Sequence, residues 1–141
     1  MITVESFTYD NQQKFDLALN IRTEVFVKEQ KVDARLEFDG KDPEATHYLS
    51  FCNDAPAGTA RWRKTDNGIK LERFAVLSQY RSQLVGLALL EAVLKDVKGL
   101  HPNIYLNSQK SAIGFYLRYG FVRVGEPFFE AGIEHIKMIL K

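Results

Sequence analysis

The sequence has one cysteine, one tryptophan, four prolines and no apolar run long enough to cross a membrane. The single cysteine, Cys52, excludes an internal disulfide. Its place in an apolar run reads as a small core residue rather than a nucleophile. Charge of one sign is not in excess: the net charge of +1 gives no footprint for nucleic acid. The first residues, MITVESFTYD, lack the basic and apolar regions of a secretory signal. With the lone cysteine, they point to a reducing, cytoplasmic setting and to no membrane partner. The histidines, His47, His101 and His135, are scattered, and no Cys/His spacing fits zinc, so no metal is expected. No repeat, low-complexity tract or Pro/Gly-rich linker divides the chain. Residues 1–141 therefore read as one domain, and a hydrophobic content of 45% suffices for a proper core.

What the chain does contain is organised around Leu71 to Leu94. Leu71 to Leu77 is apolar except for Glu72 and Arg73 and fits a central strand. Leu77 to Ser82 is a short polar turn. From Gln83 onward, Leu84, Ala88, Leu90 and Val93-Leu94 recur at helical steps. A helix that starts just after a strand gathers unpaired N–H groups, and its dipole adds partial positive charge, which makes an anion cradle. Arg81 adds a full charge, and Gly86 lets a ligand approach the backbone. Taken alone, the stretch also admits the plainer reading of an ordinary strand–helix connection.

Around it, Ile2, Val4 and Phe7 mark a first strand, and Asp10 or Asn11 can cap the helix that follows. Phe15, Ala18, Leu19, Arg22 and Val25-Phe26 share a face of that helix; Arg22 either snorkels to the edge or meets an anionic group. Residues 29–44 carry six acids against three bases and read as a solvated loop, or as the border of a site for a cationic, amine-bearing molecule. Strands follow at His47–Asn53 and Pro56–Lys64, with a hairpin turn at Asp66-Asn67-Gly68 leading into the third. The helix after it ends near Gly99. Asn103–Leu106 is a short strand, and Asn107 and Ser108 can cap a helix carrying Ala112, Phe115, Tyr116 and Tyr119 on one face. Phe121–Val124 and Ile133–Leu140 close the sheet, joined by Gly125–Gly132. Antiparallel runs mixed with strand–helix–strand units make this an α+β domain with a mixed central sheet flanked by helices.

Three stretches resemble the GNAT-type N-acetyltransferase superfamily and, within it, the small ElaA-like branch. Arg22 to Gln30, RTEVFVKEQ, is similar to the branch's first-helix signature. Leu71 to Val76, LERFAV, followed by Tyr80-Arg81 and Gly86, is similar to the acetyl-CoA motif. Ala112 to Phe121, with Phe129-Glu130-Ala131-Gly132-Ile133-Glu134-His135, is similar to the C-terminal signature. The resemblance runs over nearly the whole chain in one order. It implies a GNAT-like fold, acetyl-CoA as co-substrate, and direct transfer of an acetyl group to a primary amine on a small molecule or peptide. It also implies a family in which homodimers are common. One position departs: Leu84 stands where the phosphate loop's first glycine is expected. Its N–H survives, but its side chain is added near the pyrophosphate path, which motivates an alternative, a non-catalytic acyl-CoA-binding or regulatory domain.

The resemblance assigns roles residue by residue. The backbone of Phe74, Ala75 and Val76 would hold the pantetheine arm. Arg81, Ser82, Gln83, Leu84, Val85, Gly86 and Leu87 would hold the pyrophosphate, and Asn107 would be a helix cap or a cofactor contact. Tyr116 is the general-acid candidate, because a phenol with a pKa of about 10 stays protonated at neutral pH and can donate to a thiolate. Glu72 leads as general base, although a carboxylate on a central strand needs a cavity or a partner. Strand alternation puts Arg73 on the opposite face from Glu72. Arg22, Glu29 and His135, from the branch signatures, are the candidates for contact with the amine.

Overall fold

The computed structural model describes residues 1–141. Seven strands form one sheet in the order β1-β2-β3-β4-β5-β7-β6. They are β1 (Ile2–Thr8), β2 (Thr46–Cys52), β3 (Ala55–Thr65), β4 (Gly68–Val76), β5 (Ile104–Gln109), β6 (Phe121–Glu130) and β7 (Ile133–Leu140). The helices are α1 (Gln12–Arg22), α2 (Ala34–Glu37), α3 (Val85–Val97) and α4 (Ile113–Arg118). None is long and apolar enough to cross a membrane.

Each face of the sheet has its own core. Phe15, Ala18 and Ile21 of α1 bury against Phe7, Leu49 and Ala75 on one face. Val85, Leu89, Leu90, Val93 and Val97 of α3, at helical spacing, bury against Tyr48, Ala60 and Leu71 on the other. Gly58 is required where α3 meets the sheet: a Cβ there would sit 2.9 Å from the Ala75 carbonyl and 3.0 Å from Leu89 Cδ1.

All neighbouring strands are antiparallel except β4 and β5. That parallel pair is joined only over Ile69–Leu71 and Ile104–Leu106. Beyond it β4 runs on to Val76 and β5 to Gln109 without pairing to each other, and the sheet opens between them.

Several elements differ from the sequence expectation. Asn11, not Asp10, caps α1, accepting from the Lys14 N–H at 3.1 Å. The helix continues past Arg22, as the positions of Val25 and Phe26 suggested, but as a π-helical segment, Thr23–Glu29, that takes in Glu29 from the expected loop. Strand β5 extends to Gln109, so Asn107 and Ser108 are strand residues and cap no helix. Strand β6 runs through 125–130, with a register shift between Val124 and Phe128, and only Ala131-Gly132, both at positive φ, form the turn to β7. A two-residue turn lets the hairpin extend where a long loop was expected.

Candidate active site

The site begins with one extra residue in β4. Thr59 faces Ala75 but Arg61 faces Glu72, so three steps on β4 match two on β3. Arg73 carries the irregularity, with φ of 57°. The bulge reverses strand parity: Leu71, Phe74 and Val76 pack toward α3, whereas Ala75 joins the α1 core. Glu72 and Arg73 consequently share the α1 side, which corrects the alternation that placed them on opposite faces. Asp39 binds Arg61 at 2.8 Å and Arg73 at 3.3 Å, tying the two neighbours' networks together.

A cavity of about 420 Å³ opens where β4 and β5 part. Phe26, Val32 and Leu36 line one side; Asn107, Ala112 and Tyr116 line the other; Glu130, Ile133 and His135 of the β6–β7 hairpin close a third. Gln109 Nε2 donates to Gln30 Oε1 at 2.8 Å, linking β5 to the end of the π-helical segment.

Its floor is a buried charge network. Arg61 is fully buried and reaches Glu72 at 3.1 Å, Asp42 at 2.7 Å and Asp39. Glu72 also takes Arg63 Nε at 2.7 Å and Lys70 Nζ at 3.2 Å. Burial opposes its charge, but Arg61, Arg63 and Lys70 together hold its carboxyl below the usual value. Asp39, which burial alone would raise, is held down at about 2 by hydrogen bonds from Arg61 and the Lys41 N–H. Arg22 is 1% exposed and bonds Glu37 and Asp42, so of its two expected surroundings it has the anionic one, supplied by the chain itself. His47, whose Nε2–H donates to the Asp42 carbonyl at 3.0 Å, is pushed below its usual pKa by burial and packs between Phe7 and Phe15.

Residues 29–44 are therefore a solvated acidic stretch only in part: Glu29, Asp33 and Glu44 stay exposed, but other acids turn inward. Glu37 and Asp42 are buried, and with Asp39 they are neutralised by Arg22, Arg61 and Arg73. Nor does Glu72 have a base's surroundings, since three cations occupy its two oxygens. A proton acceptor needs a free lone pair and some tendency to take the proton, and this carboxylate has neither.

Tyr116, 8% exposed, stands on the far wall. Phe74, Phe115 and Phe121 hold its ring edge-on, with centroids 6.3, 5.2 and 5.7 Å away. No hydrogen bond within the chain engages its hydroxyl, and burial pushes the phenol pKa up, so it is a protonated donor facing the cavity.

The turn after β4 differs from the reading in which the helix starts at Gln83. Helix α3 begins at Val85, and Leu84 takes the left-handed conformation, φ 65°, that its place in the turn demands. The residue is 69% exposed and joins neither core. Gly86 looks into the gap between Val76 and Phe115, 4.0 and 3.8 Å from where a Cβ would lie. Arg81 donates from Nε to the Val76 carbonyl at 3.0 Å and pairs with Glu29. Glu29 borders a separate groove, with Ser78 and Gln79, rather than the cavity.

Among the expected site residues, Glu72, Phe74, Asn107, Tyr116 and His135 line the cavity, while Arg22 lies in the wall behind it. The sequence reading missed Gln30, Asp39, Arg63, Lys70, Gln109 and Glu130 as lining residues. Arg61 and Arg63, two apart on one strand beside an acid-rich segment, were the available signal for the network.

Residues 6–141 match the family described as "Acetyltransferase (GNAT) domain". The uncharacterized N-acetyltransferase YjcF of Bacillus subtilis (strain 168) is 37% identical over 131 residues, 92% of this chain and 94% of its own length. ElaA of Escherichia coli (strain K12) is 32% identical, over 85% of this chain and 82% of its own. The crystal structure of Escherichia coli ElaA superposes with a TM-score of 0.87 at 28% identity, covering both chains completely. A Bacillus anthracis candidate streptothricin acetyltransferase, crystallised in complex with acetyl coenzyme A, matches at TM-score 0.59 and 26% identity over 70% of this chain and 62% of its own.

Proposed function

The chain belongs to the GNAT acetyltransferase family and is an acyltransferase, and from that premise we propose that it transfers an acetyl group from acetyl-CoA to a primary amine by direct attack in the β4–β5 cavity. The observation that carries this reading is the pairing of an open β4 edge with the free Tyr116 hydroxyl opposite it. Acetyl-CoA supplies the activated acyl group. The bulged backbone at Phe74–Val76 offers hydrogen bonds to the pantetheine arm and a donor toward the thioester oxygen, where negative charge develops. The residues from Arg81 to Leu87 receive the pyrophosphate at the start of α3, with Gly86 leaving room beside Phe115. Asn107 borders the cofactor side of the cavity. Tyr116 donates its proton to the departing thiolate.

The floor network takes no part in proton transfer. It fixes Arg73 and the bulge, and thereby aims the edge of β4 at the thioester. Because the acids of residues 29–44 are internally neutralised, a cationic body on the acceptor gains little from them. The domain spans the whole chain and its setting is cytoplasmic.

The test is a thermal-shift titration with acetyl-CoA followed by a panel of amines scored for free CoA thiol. Stabilisation with thiol release on at least one amine supports the reading. Stabilisation without release on any amine favours the non-catalytic acyl-CoA-binding or regulatory alternative, which Leu84, in place of the phosphate loop's first glycine, motivates.

A further inference from the structure

Acetyl transfer leaves one requirement unmet by the residues above. An amine reaches the cavity as an ammonium ion and must lose a proton before it can attack. The carboxylates of the floor are already engaged: Glu72 by three cations, Glu37, whose pKa burial raises, by two-sided pairing with Arg22 and Arg73, and Asp39 by Arg61 and Arg73.

We propose that His135 accepts the acceptor's proton at its Nε2 atom. This rests on the acetyltransferase reading above and adds the base to it. His135 lies in β7, between Gln109 of β5 and Phe128 of β6, and lines the cavity. Its ring stacks on Phe128, with centroids 5.8 Å apart and planes 21° from parallel, which supports its orientation in the wall. Nδ1 is 2.7 Å from the Ile133 carbonyl oxygen. A carbonyl oxygen only accepts, so Nδ1 carries the hydrogen, and the lone pair of the neutral ring is on Nε2.

Nε2 has no hydrogen-bond partner in the chain; the nearest acidic oxygen, Glu130 Oε2, is 3.9 Å away. That distance is too long for a hydrogen bond, so the Nε2 lone pair stays open to the cavity. Glu130 is exposed, at the cavity rim, where a proton can pass to water. The other charged groups lining the cavity are Glu37, Asp39, Arg63, Lys70, Glu72 and Arg73, and all belong to the floor network.

The step balances as follows. The amine nitrogen forms a bond to the acetyl carbonyl carbon, and the carbon–sulfur bond breaks. Of the two protons the ammonium loses, one leaves through Nε2 to water. The other replaces the proton that Tyr116 gives to the thiolate, so one proton is released per turnover.

The experiment compares wild type with His135→Gln, using the amine of the panel with the highest turnover. kcat/KM for the amine is measured against pH, and acetyl-CoA affinity by calorimetry. The glutamine variant is expected to lose about 10²-fold in kcat/KM. Its acid limb should move upward toward the amine's own ionisation, acetyl-CoA affinity should stay within twofold, and added imidazole should restore part of the rate. Glu130→Gln should lose only a few-fold. A His135→Gln enzyme within threefold of wild type, with an unmoved acid limb, overturns the assignment and leaves the acetyltransferase reading standing. A wild type that binds acetyl-CoA but acetylates no amine overturns both. Nitrogen NMR of the wild-type imidazole needs no variant to fold: a hydrogen on Nδ1 supports the proposal, and one on Nε2 at neutral pH overturns it.

Discussion

Arg81 and Glu29, 52 positions apart in sequence, meet in a two-pronged ion pair with N–O distances of 2.6 and 2.8 Å. The pair ties the turn after β4 to the end of the π-helical segment. It also engages the guanidinium that the proposed function assigns to the cofactor's phosphates. Hydrogen bonding from Arg81 lowers the Glu29 pKa, so the pair persists across the neutral range.

Removing Glu29 should therefore free Arg81 for a phosphate. An exposed pair is worth about 0.2–1 kcal/mol, so Glu29→Gln is expected to tighten acetyl-CoA binding by up to about fivefold. Arg81→Ala should weaken it by at least tenfold. Calorimetric Kd values check both, and a Glu29→Gln protein that binds acetyl-CoA more weakly would show that the pair serves the site rather than competing with it.

Leu84 stores backbone strain at the start of α3. A non-glycine residue at positive φ costs about 1–2 kcal/mol, partly offset by the greater freedom of glycine in the unfolded chain. Leu84→Gly is expected to leave stability unchanged or raise it by up to about 1 kcal/mol, while tightening acetyl-CoA binding a few-fold. Denaturant melts and calorimetry measure the two effects. A clear loss of stability would mean that the exposed leucine makes contacts that outweigh the strain.

Glu72 separates a structural carboxylate from a catalytic one. Glu72→Gln leaves Arg61, Arg63 and Lys70 facing one another with a neutral amide, a loss of about 3 kcal/mol that should lower Tm by roughly 10 °C. The amine kcat/KM of the folded protein should change by less than tenfold. A variant with wild-type Tm and a rate lowered 10²-fold or more would restore Glu72 as the base.

The same network fixes the acid response. Asp39, held at about 2, and Asp42 and Glu72, both lowered, bind fewer protons folded than unfolded below their ordinary pKa values. Their stabilisation is present above about pH 4.5 and is lost as the pH falls toward 2. His47, lowered by burial, acts at higher pH: its stabilisation is present above about pH 6.5 and erodes as protonation begins to favour the unfolded chain. Tm against pH should fall in two stages, and His47→Gln should remove the upper one.

Much of this was legible in the sequence, for reasons that particular residues make clear. The apolar repeat in α3, the Asn11 cap and the Asp66-Asn67-Gly68 turn report local chemistry, and local chemistry suffices to place elements. Tyr116 and His135 were identifiable as candidates because their motifs keep their order along the chain. The bulge at Arg73 was not legible, because a period of two has no mark for an inserted residue. Neither was the fate of Glu37, Asp39 and Asp42. Their charges looked free in one dimension, and the arginines that neutralise them come from α1, β3 and β4.

Tyr116→Phe removes the proposed donor without changing the ring packing against Phe74, Phe115 and Phe121. The variant should keep its stability and its acetyl-CoA affinity while kcat falls by about 10²-fold. Acetyl thioesters with progressively more basic, poorer leaving thiols should enlarge the deficit. An unchanged kcat in a folded variant would remove Tyr116 from the chemistry.

The central claim is direct transfer to an amine in the β4–β5 cavity. Initial rates of CoA thiol release over a matrix of acetyl-CoA and amine concentrations test it most directly. The account predicts intersecting double-reciprocal lines and no thiol burst without amine. Parallel lines with a burst would reveal an acyl-enzyme, and thiol release indifferent to the amine would mean that the cavity acetylates none; either result would contradict it.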